Sequence, residues 1–518
     1  MKTICTLHLF IYVLVLVAMR IKMVAPFSLT SPFAPKHRLQ SSTSSQPNPP
    51  PPPPSRKSQM RTLRLQNVGL PKAVDPGVNS LNRPRPIHTY NPLPFTNPVS
   101  SRPLPPPSAL FHVLGIETSC DDTAAAIVSS TGEIVSESIA SQKFVHANFG
   151  GVVPNLAKES HSSAIDDVVG EVLSRAGLSV DELGGVACTI GPGLEVCLRV
   201  GFHKARDLVR SAASVPFVGC HHLEEHILMA TLPMPSPSPS PSPNPNPNPS
   251  HTHASFPFLA LLVSGGHCQI LKCYSLSRYE VVGGTIDDSL GECYDKVARM
   301  LGVDLTDSST TLGKEVGSGG EAVEVLARNF ESKRESENEN ENGVDTHTKY
   351  KLTVPMVQRK DCEFSFAGLK NNFRMLNGRV RGEMGLRNET DSNTKDGKLS
   401  ELLGESVRCE LAASFQDTAI RHLEDRVGRA IGVIEEEEGE TFKQLVIVGG
   451  VAANKEIRRR VSGVAEGYGW KVVVPDPKLC TDNGVMAAWA GVLRIKEGSA
   501  DDVEAQEVYA RYPFAALE

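Results

Sequence analysis

Two stretches of this chain follow one plan, and that duplication constrains the fold more than any other feature. "FHVLGIETSCDDTAAAIVSSTGEIVSESIA" (Phe111 to Ala140) sets out an apolar strand, a polar turn, a second strand, a Thr-Gly turn and a third strand. "FPFLALLVSGGHCQILKCY" (Phe256 to Tyr274) repeats the opening: a buried apolar strand, a small-residue turn, another strand. A third instance, "QLVIVGGVAANKEIRRRV" (Gln444 to Val461), is a strand, a double-glycine turn and a basic helix. Helical patterns such as "SLGECYDKVARMLG" (Ser289 to Gly302) lie between them. Strands alternating with helices predict an α/β protein. Two lobes that each open strand–turn–strand predict a duplicated architecture with a ligand in the cleft between them.

Ahead of Phe111 nothing reads as fold. The segment is rich in Arg, Ser and Pro, including "NPPPPPPS" (Asn48 to Ser55), and cannot bury a core. It also holds most of the charge asymmetry. Residues 1–110 carry thirteen Lys/Arg and one acid, Asp75, which leaves the remainder at a net −18. An acid-poor leader of this kind predicts an organelle transit peptide over residues 1–105, for the mitochondrion in preference to the plastid. The eleven apolar residues Leu9–Met19 raise the alternative of a secretory signal, but the run is too short to span a bilayer and none like it follows. The basic tract behind it and eleven scattered cysteines with no CxxC pair favour import and a reducing compartment, and exclude a Cys-rich zinc module. A body this acidic needs a local basic patch or a helper subunit for any RNA contact. Three segments read as surface insertions: 233–250, 331–349 and 381–398.

The densest chemistry lies in "GCHHLEEHIL" (Gly219 to Leu228). On a helix, His222 and His226 at i and i+4 put both imidazoles on one face, a spacing that suits one divalent metal. "HLEEH" also fits the H-x-x-E-H form of an inverted zinc protease, with Glu225 as general base, and a polar helix face fits equally. Either metal reading needs a third ligand. Asp482, in a polar turn ahead of the apolar helix of "CTDNGVMAAWAG", is a candidate; its commonest use in that setting is as a helix cap. The small-residue turns "LVSGG" (Leu262 to Gly266), "GPGL" (Gly191 to Leu194) and "GGVAAN" (Gly449 to Asn454) let backbone amides approach an anion. None is a Walker loop or a dinucleotide fingerprint. "ETSCDD" (Glu117 to Asp122) and Asp295 in "ECYDK" supply carboxylates of the kind usually solvated or used as caps.

In order, "GIETSCDDT", "FGGVVPNLAKESH", "TIGPGLEVCLRVG", "HHLEEH", "LLVSGGHCQI", "IDDSLGECYDKVARMLG", "FSFAGLKN", "VGGVAANKEIR" and "CTDNGVMAAWAG" resemble the tRNA threonylcarbamoyladenosine transferases. The match runs from Phe111 to Ala490 apart from the insertions. The resemblance implies an actin-like, sugar-kinase-like fold with duplicated RNase-H-like lobes. Lobe I would be 111–255, lobe II 256–479, and 480–518 a segment returning to lobe I. It implies transfer of threonylcarbamoyl from threonylcarbamoyl-AMP, made by a separate synthase, to N6 of adenosine 37 in tRNAs reading codons that start with A. It implies one divalent cation, iron or zinc, on His222, His226 and Asp482, and a homodimer without a membrane span. It assigns Leu262, Val263, Ser264, Gly265 and Gly266, Asp295, Gly320, Glu324, Ala453 and Asn454 to the adenylate, and Asp121 to proton removal from the attacking amine. The family's Gly-Gly-Pro is replaced by Gly319-Gly320-Glu321, after a longer lead-in. Two rivals remain: the metalloprotease, which requires Glu225, and a non-catalytic nucleotide-binding scaffold, which does not require the metal ligands.

Overall fold

The computed structural model describes residues 100–146, 152–212, 214–233, 253–303, 312, 316–338, 348–386 and 403–513. Nearly all of the expected leader lies outside the described residues, as do 234–250, 339–347 and 387–398 of the expected insertions.

Two five-stranded sheets carry the fold. In the first, β1 (His112–Glu117) lies antiparallel to β2 (Asp122–Ser129), which pairs with β3 (Ile134–Ser141). On its other side β1 runs parallel to β4 (Gly185–Gly191), which pairs with β5 (Phe217–His221). The second sheet repeats this order. Its strands are β6 (Phe258–Val263), β7 (Cys268–Ser275), β8 (Arg278–Gly284), β9 (Gln444–Val448) and β10 (Lys471–Val473). β6 is flanked by antiparallel β7 and parallel β9. The periodicity explains the layering. Central strands such as β4, "GVACTIG", are buried along their whole length because helices cover both faces. The edge strand β3 is mostly half-buried or exposed, with only Ser136 buried.

In lobe I, α1 (Pro154–Ala176) and α2 (Glu195–Ser211) cover one face, meeting Leu114, Ile116 and Ile127. The opposite face is made of small side chains, Gly115, Ala126 and Ala187, aligned across β1, β2 and β4. Helix α9 (Gly484–Lys496) lies flat on it. A methyl at Gly115 would stand 2.2 Å from Ala488 N, and one at Gly484 2.2 Å from the carbonyl carbon of Ala125. These glycines let helix and sheet interlock.

In lobe II, one face of β6 (Leu259, Leu261, Val263) packs on α4 (Leu290–Met300), α5 (Gly319–Asn338), α6 (Ala367–Glu383) and α7 (Glu405–Glu438). The other face (Phe258, Ala260, Leu262) receives Leu223 and Ile227 of α3 (His222–Leu228). α8 (Lys455–Gly467) follows β9. The insertion expected from residue 331 begins instead as helix, since α5 continues to Asn338. Its Glu, Lys and Arg residues are good helix formers, and composition alone hid that. The insertion expected from 381 likewise starts inside the last turn of α6.

Candidate active site

His221 ends β5 and starts α3. Its Nδ1 accepts the Leu223 amide at 3.2 Å, and its Nε2 donates to the Tyr512 carbonyl at 2.8 Å. With both nitrogens committed and burial pushing its pKa down to about 3, His221 is a neutral cap. The next turn presents His222 and His226 together, ring centroids 4.7 Å apart. Asp482 reaches them from the other end of the chain. The cap of α9 is not Asp482 but Asn483, whose Oδ1 accepts the Met486 amide at 3.0 Å, so the Asp482 carboxylate is left to face the imidazoles.

The resulting distances test a shared cation. Asp482 Oδ1 stands 3.1 Å from His226 Nε2 and 3.7 Å from His222 Nε2. Ligand atoms on one tetrahedral zinc-like ion, each about 2.1 Å from it, are separated by about 3.4 Å. His226 is 1% exposed, and neither of its ring nitrogens has a hydrogen-bond partner among the described residues. Its Nε2 approaches Asp482 without donor alignment, as two ligands of one ion do. A buried imidazole whose one close partner is an unaligned carboxylate is costly, and a cation between the two removes the cost. The residues fit a divalent metal.

Behind His222 lies a buried carboxylate pair that sequence reasoning passed over. Glu117, expected to be solvated, ends β1 fully buried. Its Oε2 lies 3.3 Å from His222 Nδ1, and its Oε1 accepts the Ser119 amide. Glu225, also fully buried, shares the Thr189 hydroxyl with Glu117, at 2.9 Å from each of its own oxygens. One hydroxyl hydrogen cannot serve two carboxylates, so one of them keeps a proton. Burial and the neighbouring Glu117 charge drive the Glu225 pKa well up. Burial opposes ionisation of Glu117 too, but His222 outweighs it and the net shift is down. For His222, burial disfavours the cation, yet Asp482 and Glu117 push its pKa up to about 10. Asp482 is correspondingly held low against its own burial, chiefly by His222. The nearest signal in sequence was the pattern HLEEH, which marks Glu225 but not its partners.

Near the histidine pair, the Leu262–Gly266 turn closes on itself, with Ser264 N donating to His267 O at 2.8 Å and His267 N to Ser264 Oγ at 3.1 Å. It rests on the start of α4, where a methyl at Gly291 would collide with Gly265 Cα at 2.7 Å. Gly265 and Gly266 face open space. His267, unremarked in the sequence, is lowered to about 4 by burial and by the charges of His222 and His226, which ties this turn to the histidine pair. Asp295 on α4 is raised mainly by burial; the Gly319 and Gly320 amides donate to it, and the charge of Asp121 in the β1–β2 turn reaches it from lobe I. Gly319 makes the tighter approach, a methyl there standing 2.6 Å from Asp295 Oδ1. Glu324 accepts the Lys455 amide at 3.2 Å beside Asn454. The Asn454 side chain is largely committed: Oδ1 caps α8 at Glu456 and Ile457, and Nδ2 donates to Gln416 at 3.0 Å. The Ala453 carbonyl accepts Arg458 at 2.9 Å.

The family profile of TsaD, tRNA N6-adenosine threonylcarbamoyltransferase, matches residues 133–489. The chain belongs to this family. A relative from Arabidopsis thaliana, named a probable mitochondrial tRNA N6-adenosine threonylcarbamoyltransferase, is 41% identical over 75% of this chain and 70% of its own. The mitochondrial enzyme of Xenopus tropicalis is 35% identical over 74% of this chain and 83% of its own. The tRNA N6-adenosine threonylcarbamoyltransferase of the bacterium Granulibacter bethesdensis is 37% identical over 76% of this chain and 90% of its own. The chain is thus a transferase of this class, with tRNA as substrate, and the plant and frog relatives place it in mitochondria, the destination expected from the leader. None of these relatives carries a protease's name. No helix among the described residues is long and apolar enough to cross a membrane.

Proposed function

We propose that the cleft moves threonylcarbamoyl from threonylcarbamoyl-AMP to N6 of adenosine 37 in tRNAs reading codons that start with A, with His222, His226 and Asp482 holding one iron or zinc ion. The observation that carries this is the converging set of three ligand atoms with His226 left without hydrogen bonds among the described residues. When bound, such an ion supplies Lewis-acid polarisation of an acyl or phosphoryl oxygen. The open Ser264–Gly266 turn offers backbone to the adenylate, while Asp295, Gly320, Glu324, Ala453 and Asn454 form the wall on its nucleoside side. Asp121 takes the proton of the amine as the N6–carbon bond forms and AMP leaves. Glu117 orients His222 by accepting from Nδ1, which turns Nε2 toward Asp482. The reading includes lobes at 111–255 and 256–479, with 480–518 returning to lobe I, and rests there on the packing of α9 against β1, β2 and β4. A separate synthase as adenylate source and a homodimer as working unit come from the family resemblance.

The test uses purified protein, threonylcarbamoyl-AMP and unmodified tRNA, with metal content measured on the same samples. His222→Ala, His226→Ala and Asp482→Ala are each expected to lose metal and transfer by orders of magnitude while remaining folded. An Asp482→Ala protein that keeps both metal and activity refutes the assignment.

A further inference from the structure

Lobe II carries two basic helical segments, and they differ in what their cations do. On α8, Arg459 pairs with Glu456 at 2.6 Å, Arg460 with Asp417 and Glu424 at 2.6 and 2.5 Å, and Arg458 donates to the Ala453 carbonyl. These charges are consumed within the fold. On α6 the situation is reversed. Lys370 pairs with Asp288 and Arg381 is buried, but Arg374 and Arg379 stand on the exposed side with no carboxylate within ion-pair distance among the described residues. Arg374 donates to Asn371, at 2.9 Å. At 100° per residue, Asn371, Met375 and Gly378 fall between the two arginines on the helical wheel, and Met375 is 65% exposed. Glu383, the last residue, is the single acid of α6. Arg299, exposed on the neighbouring α4, makes no ion pair among the described residues, although its charge reaches the Asp295 carboxylate and its Nε donates to the Asp295 carbonyl at 3.4 Å.

This face is fastened to the Leu262–Gly266 turn. Asp287 accepts from the Ser365 hydroxyl and the Phe366 and Ala367 amides at the start of α6. Two residues on, Ser289 donates to the Gly265 carbonyl of the Leu262–Gly266 turn. Asn377 ties the middle of α6 to the Met300 carbonyl at the end of α4. In a body with eighteen excess acids outside the leader, exposed arginines that lack a carboxylate partner form a local positive patch that attracts a polyanion. We propose that the outer face of α6, with Arg374 and Arg379, and Arg299 of α4, binds backbone phosphates of the tRNA flanking the nucleoside that enters the cleft. The proposal rests on tRNA being the substrate, and it gives a role to the motif "FSFAGLKN" (Phe364 to Asn371), which seats α6 and is otherwise unused by the site.

The test is tRNA affinity measured directly with the full chain between 50 and 200 mM KCl, alongside KM for each substrate. Direct binding does not depend on transfer, so failure of the proposed chemistry leaves this result standing. Arg374→Glu/Arg379→Glu is expected to weaken binding at least about tenfold and to flatten the log–log salt dependence by about 0.7 for each phosphate that is no longer neutralised. KM for threonylcarbamoyl-AMP should stay unchanged. Arg374→Lys/Arg379→Lys keeps the charges and should retain the salt slope. Arg459→Ala on α8 should leave affinity within about twofold. Unchanged affinity and slope in a folded charge-reversal variant overturn the proposal and leave the face to an acidic protein partner.

Discussion

Replacing Gly484 with alanine puts a methyl group where the first turn of α9 meets β2. The added carbon would lie 2.2 Å from Ala125 C and 2.4 Å from Ala126 N, against the 3.4 Å at which ordinary van der Waals packing begins. The obstructing atoms are backbone, so the helix start must recede by about 1.2 Å. Such overpacking costs about 1–3 kcal/mol, of which better helix propensity returns at most about 1 kcal/mol. Stability alone therefore changes only modestly. The metal is the sensitive readout, because Asp482 sits two residues ahead of the displaced glycine, and ligand distances tolerate only about 0.2 Å. Gly484→Ala is expected to stay folded, with a Tm a few degrees lower, while metal affinity, measured by chelator competition, falls at least about tenfold. A variant with wild-type metal affinity and transfer would refute the idea that this interlock aims Asp482.

The buried carboxylates should behave unequally. Glu225→Gln mimics the protonated form and should be mild, whereas Glu117→Gln removes the anion facing His222 and should cost about 10–100-fold in metal affinity; a dead Glu225→Gln with normal metal binding would revive the protease reading. His422 is fully buried, accepts the Ser365 amide at 3.2 Å, and is lowered to about 4 by burial and then by Arg426. Its protonation thus favours the unfolded chain, so stability is whole above about 6.5 and falls as pH drops toward 4, by about 3 kcal/mol. Urea midpoints of wild type minus His422→Gln across pH 7 to 4.5 should trace that loss. Arg426, 0% exposed, donates to the Met356, Arg359 and Asp361 carbonyls. Arg426→Ala should cost about 3–5 kcal/mol in chemical denaturation, and Arg426→Lys, lacking the planar fork, should not restore it.

The sequence made the two sheets legible because each begins with the same strand–turn–strand run, and it made α3 legible because His222 and His226 share a helical face. Asp482 stood out in its polar turn, but only the family resemblance joined it to the histidines. It lies 256 residues beyond His226, and no periodicity connects positions so far apart. Glu117 stayed hidden because its neighbours in "ETSCDD" read as a polar turn, whereas it is the last residue of a buried strand. Thr189 looked like an ordinary core strand residue. The inner half of the expected insertion at 331 was missed because a charged helix and a charged loop have the same composition. Gly319, not Gly320, makes the close approach to Asp295, a distinction that depends on chain path alone.

The seat of α9 on the first sheet also governs the order in which the protein can be made. Strands β1, β2 and β4 are synthesised early, but the helix that covers Val113, Ala126 and Ala187 comes after all of lobe II. Until residue 496 has emerged, whether from a ribosome or an import channel, lobe I exposes an apolar face to whatever is nearby. Lobe II has by then received every strand and helix from β6 to β10. The half of the molecule begun first is finished last, so a chain interrupted after Cys480 loses both the lid of one core and the proposed metal ligand Asp482, and should be a chaperone client rather than a weakened enzyme.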